Sequence, residues 1–524
     1  MQHPKVFQAG RPASLRLPPT FPVVLPIIRK LRIAQYVDEL CPMKAGDHEP
    51  HGVMVEFLIL HLLQSMDRYP LYKMDQWAER HHVELLLGCE ASKFNDHRLG
   101  RALDAVSDVV CALESKVVTR ALRCYEIPVL AVHWDLTHIL FSGAYDRSEV
   151  VRPGYGNGAM HAKQVHESLY VSSEHGFPLM HNVLPGNAQQ APLAEELLLA
   201  LQDRLKTTNL IVIADCAGLS YDIMDAYTRA GAHFLGPLEV TASEREFILA
   251  APAEQFVELS YRSKRDKHCV HSCYDTMMVI KRDKKSSSRT VRALVIHSTS
   301  KHKADSAERR GKLQKVLARL QDISRFLNKS HYTKFSFALR QLVKAVPPEL
   351  AGVVTYDLQG EDKHLRLRFT VDEAALEQME QTDGRYLLVT DVTDESADAL
   401  FRTYKQHTAV EARFCHLKTD LTIEPVWLRR DNRIAALIAI FMLALAVYAI
   451  LGICSERAKL EGDHYHKMTA RQIFFHFDYV AILMGPARAD GTPEYWELII
   501  RDDQAYILQQ LGFPDPETHI QLLP

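Results

Sequence analysis

Three carboxylates stand where chemistry is possible. Asp135 closes the apolar run PVLAVHWD, Asp215 closes NLIVIAD, and Glu411 lies in YKQHTAVEARFCHLK at 404–418. If that last segment is one helix, Tyr404, His407, Glu411 and Lys418 project at about 0°, 300°, 340° and 320°, inside one narrow stripe. Carboxylate oxygens are hard ligands suited to Mg²⁺ or Mn²⁺. Two such ions held close together activate a water or a 3′-hydroxyl and stabilise the leaving oxygen of a phosphodiester. Each residue alone has a plainer reading. Asp at a strand end is a turn former, and a polar helical stripe is usually a solvated face. The ordered set points to metal-assisted phosphodiester chemistry.

Two buried strands must carry the aspartates. PVLAVHWD and NLIVIAD are short apolar runs of strand length. Between them HESLYVSS and FPLMHNVLP read as strands joined by a Glu174-His175-Gly176 turn, and APLAEELLLALQDRL as an amphipathic helix. This order puts Asp135 and Asp215 at the ends of strands that can lie side by side. His133 and Thr137 flank Asp135 and can orient it. Residues 1–126 read as mostly helical. Asn95 or Asp96 can cap a helix with Leu99, Leu103, Val106, Val110 and Leu113 on its apolar side. Such helices suit DNA binding and equally a plain bundle.

Residues 237–380 break the pattern, mixing short strands with a basic stretch. Between 261 and 320 there are 17 Lys and Arg against 5 Asp and Glu. The segment KRDKKSSSR, with Lys281, Arg282, Lys284 and Lys285, reads as a loop or hairpin tip. In a chain of net charge −3, such a local excess has a physical use in phosphate contact. Strand returns at GRYLLVTDVT, followed by the Glu411 segment. Residues 434–454 then run for 21 residues without a charge. By length this is a candidate membrane span. A helix buried in a large α/β core is the favoured reading, because nothing else in the chain resembles a membrane protein. Residues 461–524 read as helical.

Composition sets the frame. The chain has 524 residues, 47% hydrophobic and 24% charged, as ordinary soluble globular proteins do. Nine irregularly spaced cysteines argue against a disulfide framework and for a reducing compartment. The first residues hold no apolar core of signal-peptide length.

With these residues assembled, the chain resembles an insertion-sequence transposase of the DDE class, with an RNase H-like catalytic fold. Tyr404, Glu411 and Lys418 fall on the spacing of that family's Tyr-x2-Arg-x3-Glu-x6-Lys motif, with His407 at the arginine position. HWDLT, VIADCAGLS, VLPGN and NDHRLGRALD also carry the resemblance. It implies an α/β fold: an RNase H-like mixed-sheet core in two parts, 127–236 and 381–460, interrupted by a basic, mainly β insertion at 237–380. A helical N-terminal domain, 1–126, would bind DNA ends, and 461–524 would form a helical C-terminal region. It further implies Asp135, Asp215 and Glu411 as catalytic ligands of two Mg²⁺ or Mn²⁺ ions. Tyr404, His407 and Lys418 would contact DNA, joined by Arg429, Arg430, Lys281, Arg282, Lys284 and Lys285. The substrates would be double-stranded DNA, both element inverted repeats and target, with no covalent protein–DNA intermediate and no membrane. A homodimer on DNA and a prokaryotic, cytoplasmic, nucleoid-associated location complete the expectation.

The departure at His407 matters, since a largely neutral imidazole cannot make the bidentate phosphate contact of a guanidinium. A catalytically impaired DNA-binding relic, or an RNase H-fold nuclease without strand transfer, is therefore the rival. None of Trp77, Trp134, Trp427 and Trp496 lies in the insertion, where some relatives stack a base on tryptophan. His268, Cys269, His271 and Cys273 crowd together without the second ligand pair that a zinc site needs. Lys163 reads as a surface lysine.

Overall fold

The computed structural model describes residues 13–44, 49–64, 69–156, 159–188, 193–263, 266–281, 287–406, 408–423, 428–461, 467–486, 488 and 492–521. The chain divides into two compact units, one comprising 1–218, 222–232 and 405–524, the other 219–221 and 233–404.

The first unit holds the sheet that carries the aspartates. Strand β1 (Ala131–Leu140) pairs antiparallel with β2 (Ala159–Ser172), which pairs antiparallel with β3 (Pro178–Pro185). The Glu174-His175-Gly176 segment makes the β2–β3 turn, as the sequence suggested, with Gly176 at φ 60 where side chains are disfavoured. Helix α1 (Ala194–Leu205) then carries the chain across to β4 (Ile211–Ile213), parallel to β1. Three antiparallel strands followed by a helical crossover to a parallel strand beside the first is the RNase H-like order.

Upstream, Asn95 caps the helix Asp96–Ser107 by accepting from the Arg98 N–H at 3.1 Å. The periodic run then breaks, and a second helix spans Val110–Cys124. Downstream come α2 (Thr408–Cys415) and α3 (Asp431–Arg457). The uncharged stretch lies in α3 and is a core helix: Ile438 through Leu451 are all buried, against β3 and the helices Asp96–Ser107 and His51–Leu62. An all-round apolar helix needs such surroundings. Leu445, fully buried here, is expected to cost about 2–5 kcal/mol when changed to Ala. Urea unfolding checks it; a shift under 1 kcal/mol, on the order expected at the surface, would contradict this packing.

The C-terminal expectation needs correction. Val480–Met484 and Trp496–Ile499 are strands, forming a three-stranded antiparallel sheet with Ala13–Leu17. The run VAILM is too short for periodicity to separate strand from helix, and its partners lie far apart in sequence.

The second unit contains an antiparallel sheet in the order His233–Pro237, Arg385–Thr390, Ser288–Ser298, His271–Lys281, Val257–Glu258. The strand Arg385–Thr390, expected in the second part of the core, is therefore clustered here, because six of its residues pair with Ser288–Ser298. The 28-residue helix Thr299–Phe326, the helix Phe335–Ala345 and the hairpin Val354–Gln359/Arg366–Val371 share their own apolar core, built on Leu320, Ile323, Leu342 and Val354. The inserted region thus carries substantial helix beside its strands.

Candidate active site

The register of β1 and β4 brings the two aspartates together. Ala131 pairs with Ile211 and His133 with Ile213, so the same offset sets Asp135 against Asp215 on neighbouring parallel lines. The two differ in one respect from the sequence reading. Asp215 does follow the end of its strand, but Asp135 lies mid-strand, because β1 runs on to Leu140 along β2. It is β4 that ends early and opens the space beside Asp135.

Each carboxylate is fixed locally. Asp135 Oδ1 accepts the Leu136 N–H at 2.7 Å. Asp215 Oδ1 accepts the Gly218 N–H at 2.7 Å, an Asx-type turn that swings the chain away. Gly218 has to be small: a Cβ there would lie 2.9 Å from Ala214 Cβ and 3.2 Å from Trp134. Glu411 projects from α2, which packs on β1 and β2, and both Glu411 and Asp215 are exposed. Burial, helped by the nearby charges of Asp215 and Glu411, pushes the Asp135 carboxyl up to about 7 despite the Leu136 hydrogen bond. Asp135 therefore lies within electrostatic reach of both other carboxylates. Among the described residues no three His, Cys, Asp or Glu side chains are already drawn into a closed ligand set.

The polar stripe is not one helix. Tyr404 sits in the last turn of the helix Ala397–Lys405, in the second unit, and the helix breaks before α2 begins at Thr408. Beyond Cys415 the turn widens to a π-helix, His416–Asp420, which carries Lys418 and shifts its phase. His407 lies outside the described residues, as do Arg282, Lys284, Lys285 and Trp427. Lys281 is exposed at the end of its strand.

Arg429 and Arg430 line a cavity of about 940 Å³ with the loop Ser142–Ser148, which adds Arg147. The loop is pinned to the start of α3: Ser148 Oγ donates to Asp431 at 2.6 Å and Tyr145 Oη to the Leu428 carbonyl at 2.9 Å. Lys163 is engaged with the Ala144 carbonyl at 2.6 Å, in keeping with an ordinary surface lysine. Cys269 and His271 are buried, with Sγ 3.6 Å from Nε2, and Cys273 is buried as well.

Sequence reasoning overlooked Arg413. It lies on the side of α2 away from Glu411, half-buried against the β2–β3 turn. Its Nε donates to the Gly176 carbonyl at 2.7 Å and its Nη2 to the His175 carbonyl at 2.8 Å. An arginine placed half a turn from a polar stripe was the available signal.

Comparison with known proteins places the chain in a family. Residues 134–447 match a family described as "Transposase DDE domain", a span that contains Asp135, Asp215 and Glu411. Residues 19–113 match one described as "Domain of unknown function (DUF4277)". No curated protein matches the chain. Among solved structures, similarity is found to the piggyBac transposase synaptic complex with hairpin DNA, at 9% identity over 90% of this chain and 81% of that one, TM-score 0.39. The Mos1 transposase paired-end complex with left transposon end is similar at 13% identity over 37% and 60%, TM-score 0.15. The family match covers more than half of the sequence, and the chain belongs to the transposases with a DDE domain.

Proposed function

We propose that this transposase binds the terminal inverted repeats of its own element, hydrolyses phosphodiester bonds at the element ends, and joins the freed 3′-hydroxyls to target DNA. The observation that supports the reading is the register that sets Asp135 beside Asp215 where β4 ends, with the charges of Asp215 and Glu411 both acting on Asp135. Asp135, Asp215 and Glu411 would hold two Mg²⁺ or Mn²⁺ ions. The site suits cations because none of the three carboxylates forms an ion pair among the described residues, and burial with the charges of Asp215 and Glu411 already opposes ionisation of Asp135. Such ions supply Lewis acidity and an activated water or 3′-hydroxyl. The chain's own part is to keep the three carboxylates in register on rigid elements, so that attacking and leaving oxygens are presented in line.

Phosphate contact falls to exposed cations. Arg147, Arg429 and Arg430 face one cavity, and Lys418 follows Glu411 in the same unit. Tyr404, His407 and the tip residues Lys281, Arg282, Lys284 and Lys285 complete the reading. The inserted region is also polarised: residues 309–348 hold ten Lys and Arg against one Asp, whereas 349–380 hold three against eight Asp and Glu. That asymmetry favours a polyanion on the helical layer. Two element ends have to be brought together, so a homodimer on DNA is part of the proposal, acting in the cytoplasm at the nucleoid.

The test is cleavage of a duplex carrying the element's terminal inverted repeat, with Mn²⁺ or Mg²⁺ and with chelator. The wild-type chain is expected to nick at the element boundary only with metal, and Glu411→Ala to slow this by about 10²-fold, several kcal/mol of barrier. Strand-transfer products separate a transposase from a nuclease that only cuts. Specific binding without cleavage in either protein would mark a relic, and His407→Arg would then be the variant to assay.

A further inference from the structure

We propose that the β2–β3 turn is a cleat that positions Glu411, with Arg413, Ser173 and Gln406 as positioning residues. This rests on the reading of Asp135, Asp215 and Glu411 as the catalytic carboxylates.

Helix α2 has only eight residues, too few to hold a helical register unaided. It is fastened to the turn at both ends. Just before it, Gln406 Oε1 accepts from Ser173 Oγ at 2.5 Å. In its last turn, Arg413 donates to the carbonyls of Gly176 and His175. The two anchors are seven positions apart in sequence, and Glu411 lies between them. One attachment would leave α2 free to pivot; two fix both its slide and its rotation.

The same turn reaches the other side of the site. Ser173 Oγ lies 3.1 Å from His133 Nε2, in a fully buried contact. Because the hydroxyl gives its proton to Gln406, it accepts from His133, which therefore carries its proton on Nε2. His133 shares a strand face with Asp135, two residues on. The Ser173 N–H also donates to the Ala131 carbonyl at 3.0 Å, at the start of β1. The turn thus ties the strand of Asp135 to the helix of Glu411.

Arg413 is unusual for this job. Its guanidinium has no carboxylate partner among the described residues; it bonds to two backbone carbonyls. Arg413 is half-buried, and withdrawing a guanidinium from water without an ion pair is costly, so its retention here has to be matched by what it holds. Carbonyls at a tight turn cannot move independently of the strands, so they make a rigid anchor.

The experiment uses the full chain with Arg413→Lys, Arg413→Met, Ser173→Ala and Gln406→Ala, each first shown folded by its thermal midpoint. The readouts are amide hydrogen exchange across α2, Mn²⁺ binding by calorimetry without DNA, and the kcat and KM of nicking. The expected result is at least tenfold faster exchange confined to α2. Mn²⁺ affinity and kcat should fall about 10–100-fold, as for other residues that orient ligands, with KM for DNA held within twofold. Ser173→Ala, the mildest change, should show the same pattern to a smaller degree. Unchanged exchange in α2 in the folded variants overturns the cleat, whatever happens in the cleavage assay. Faster exchange with wild-type kcat and Mn²⁺ affinity overturns the positioning role. A wild-type chain that neither nicks nor loses Mn²⁺ binding on Glu411→Ala refutes the catalytic reading instead, and the exchange data still decide whether the turn holds α2.

Discussion

Asp135→Asn is expected to abolish nicking, by 10³–10⁴-fold on the order of several kcal/mol of barrier, while making the protein more stable in metal-free buffer. The two effects have one cause. Asp135 is the most enclosed of the three carboxylates, held in mid-strand on β1 with Asp215 and Glu411 close enough to oppose its charge. Burial without a cation is unfavourable for an anion, and two like charges nearby add to the cost. An amide keeps the shape, and the acceptor that Leu136 uses, yet removes the charge. A gain of about 1–3 kcal/mol at pH 7 is expected, since a carboxyl shifted upward gives back up to about 1.4 kcal/mol per pK unit when neutralised. Differential scanning calorimetry with EDTA, then with Mn²⁺, checks this. Wild type should gain stability from Mn²⁺, and Asp135→Asn should gain far less. A variant less stable than wild type without metal would mean that the carboxylate is structurally satisfied, and the reading of a site built at the expense of stability would fail.

Much of this arrangement was legible in the sequence, for identifiable reasons. The Asn95 cap, the β2–β3 turn and the strand before Asp215 are local signals, each decided by a few neighbouring residues. The burial of α3 followed from its uncharged length in an otherwise ordinary soluble composition. What stayed hidden depended on distant partners. The end of a strand is set by its neighbour: β1 continues past Asp135 because β2 pairs with it as far as Leu140. The helical wheel over 404–418 presumed one uninterrupted helix, and a break and a π-turn defeat any fixed angle per residue. Arg413 matters through the turn that meets the far side of α2 from Glu411, which no local pattern describes. The strand Val480–Met484 likewise depends on Ala13–Leu17, over 460 residues away.

A second long-range feature carries the largest expected effect on stability. His181, on β3, lies with Nε2 2.6 Å from Glu114 and Nδ1 2.8 Å from Glu167, and Arg204 Nη1 donates to Glu114 at 3.0 Å. These residues come from the helix Val110–Cys124, β2, β3 and α1, and their side chains are buried, so the network joins the N-terminal helices to the sheet that carries Asp135. Burial pulls the imidazole down, but Glu114 and Glu167 outweigh it and hold His181 up at about 10. Burial pushes Glu114 up, but His181 and Arg204 bring it below the ordinary glutamate value; Glu167 ends above it, its burial outweighing His181. The signs fix the pH window. A histidine whose folded pKa exceeds the unfolded value near 6.5 stabilises fully below that value, and the stabilisation is lost as pH rises toward about 10. The lowered Glu114 works from the acid side, its contribution lost as pH falls through its depressed value. His181→Ala leaves two buried carboxylates facing each other and should cost about 3–5 kcal/mol near pH 6, with the difference from wild type shrinking steadily between pH 7 and 10. Urea unfolding of both proteins across that range measures it. A penalty that does not change with pH would show that His181 is buried neutral, and that packing alone, rather than a buried charge, joins the two parts of the unit.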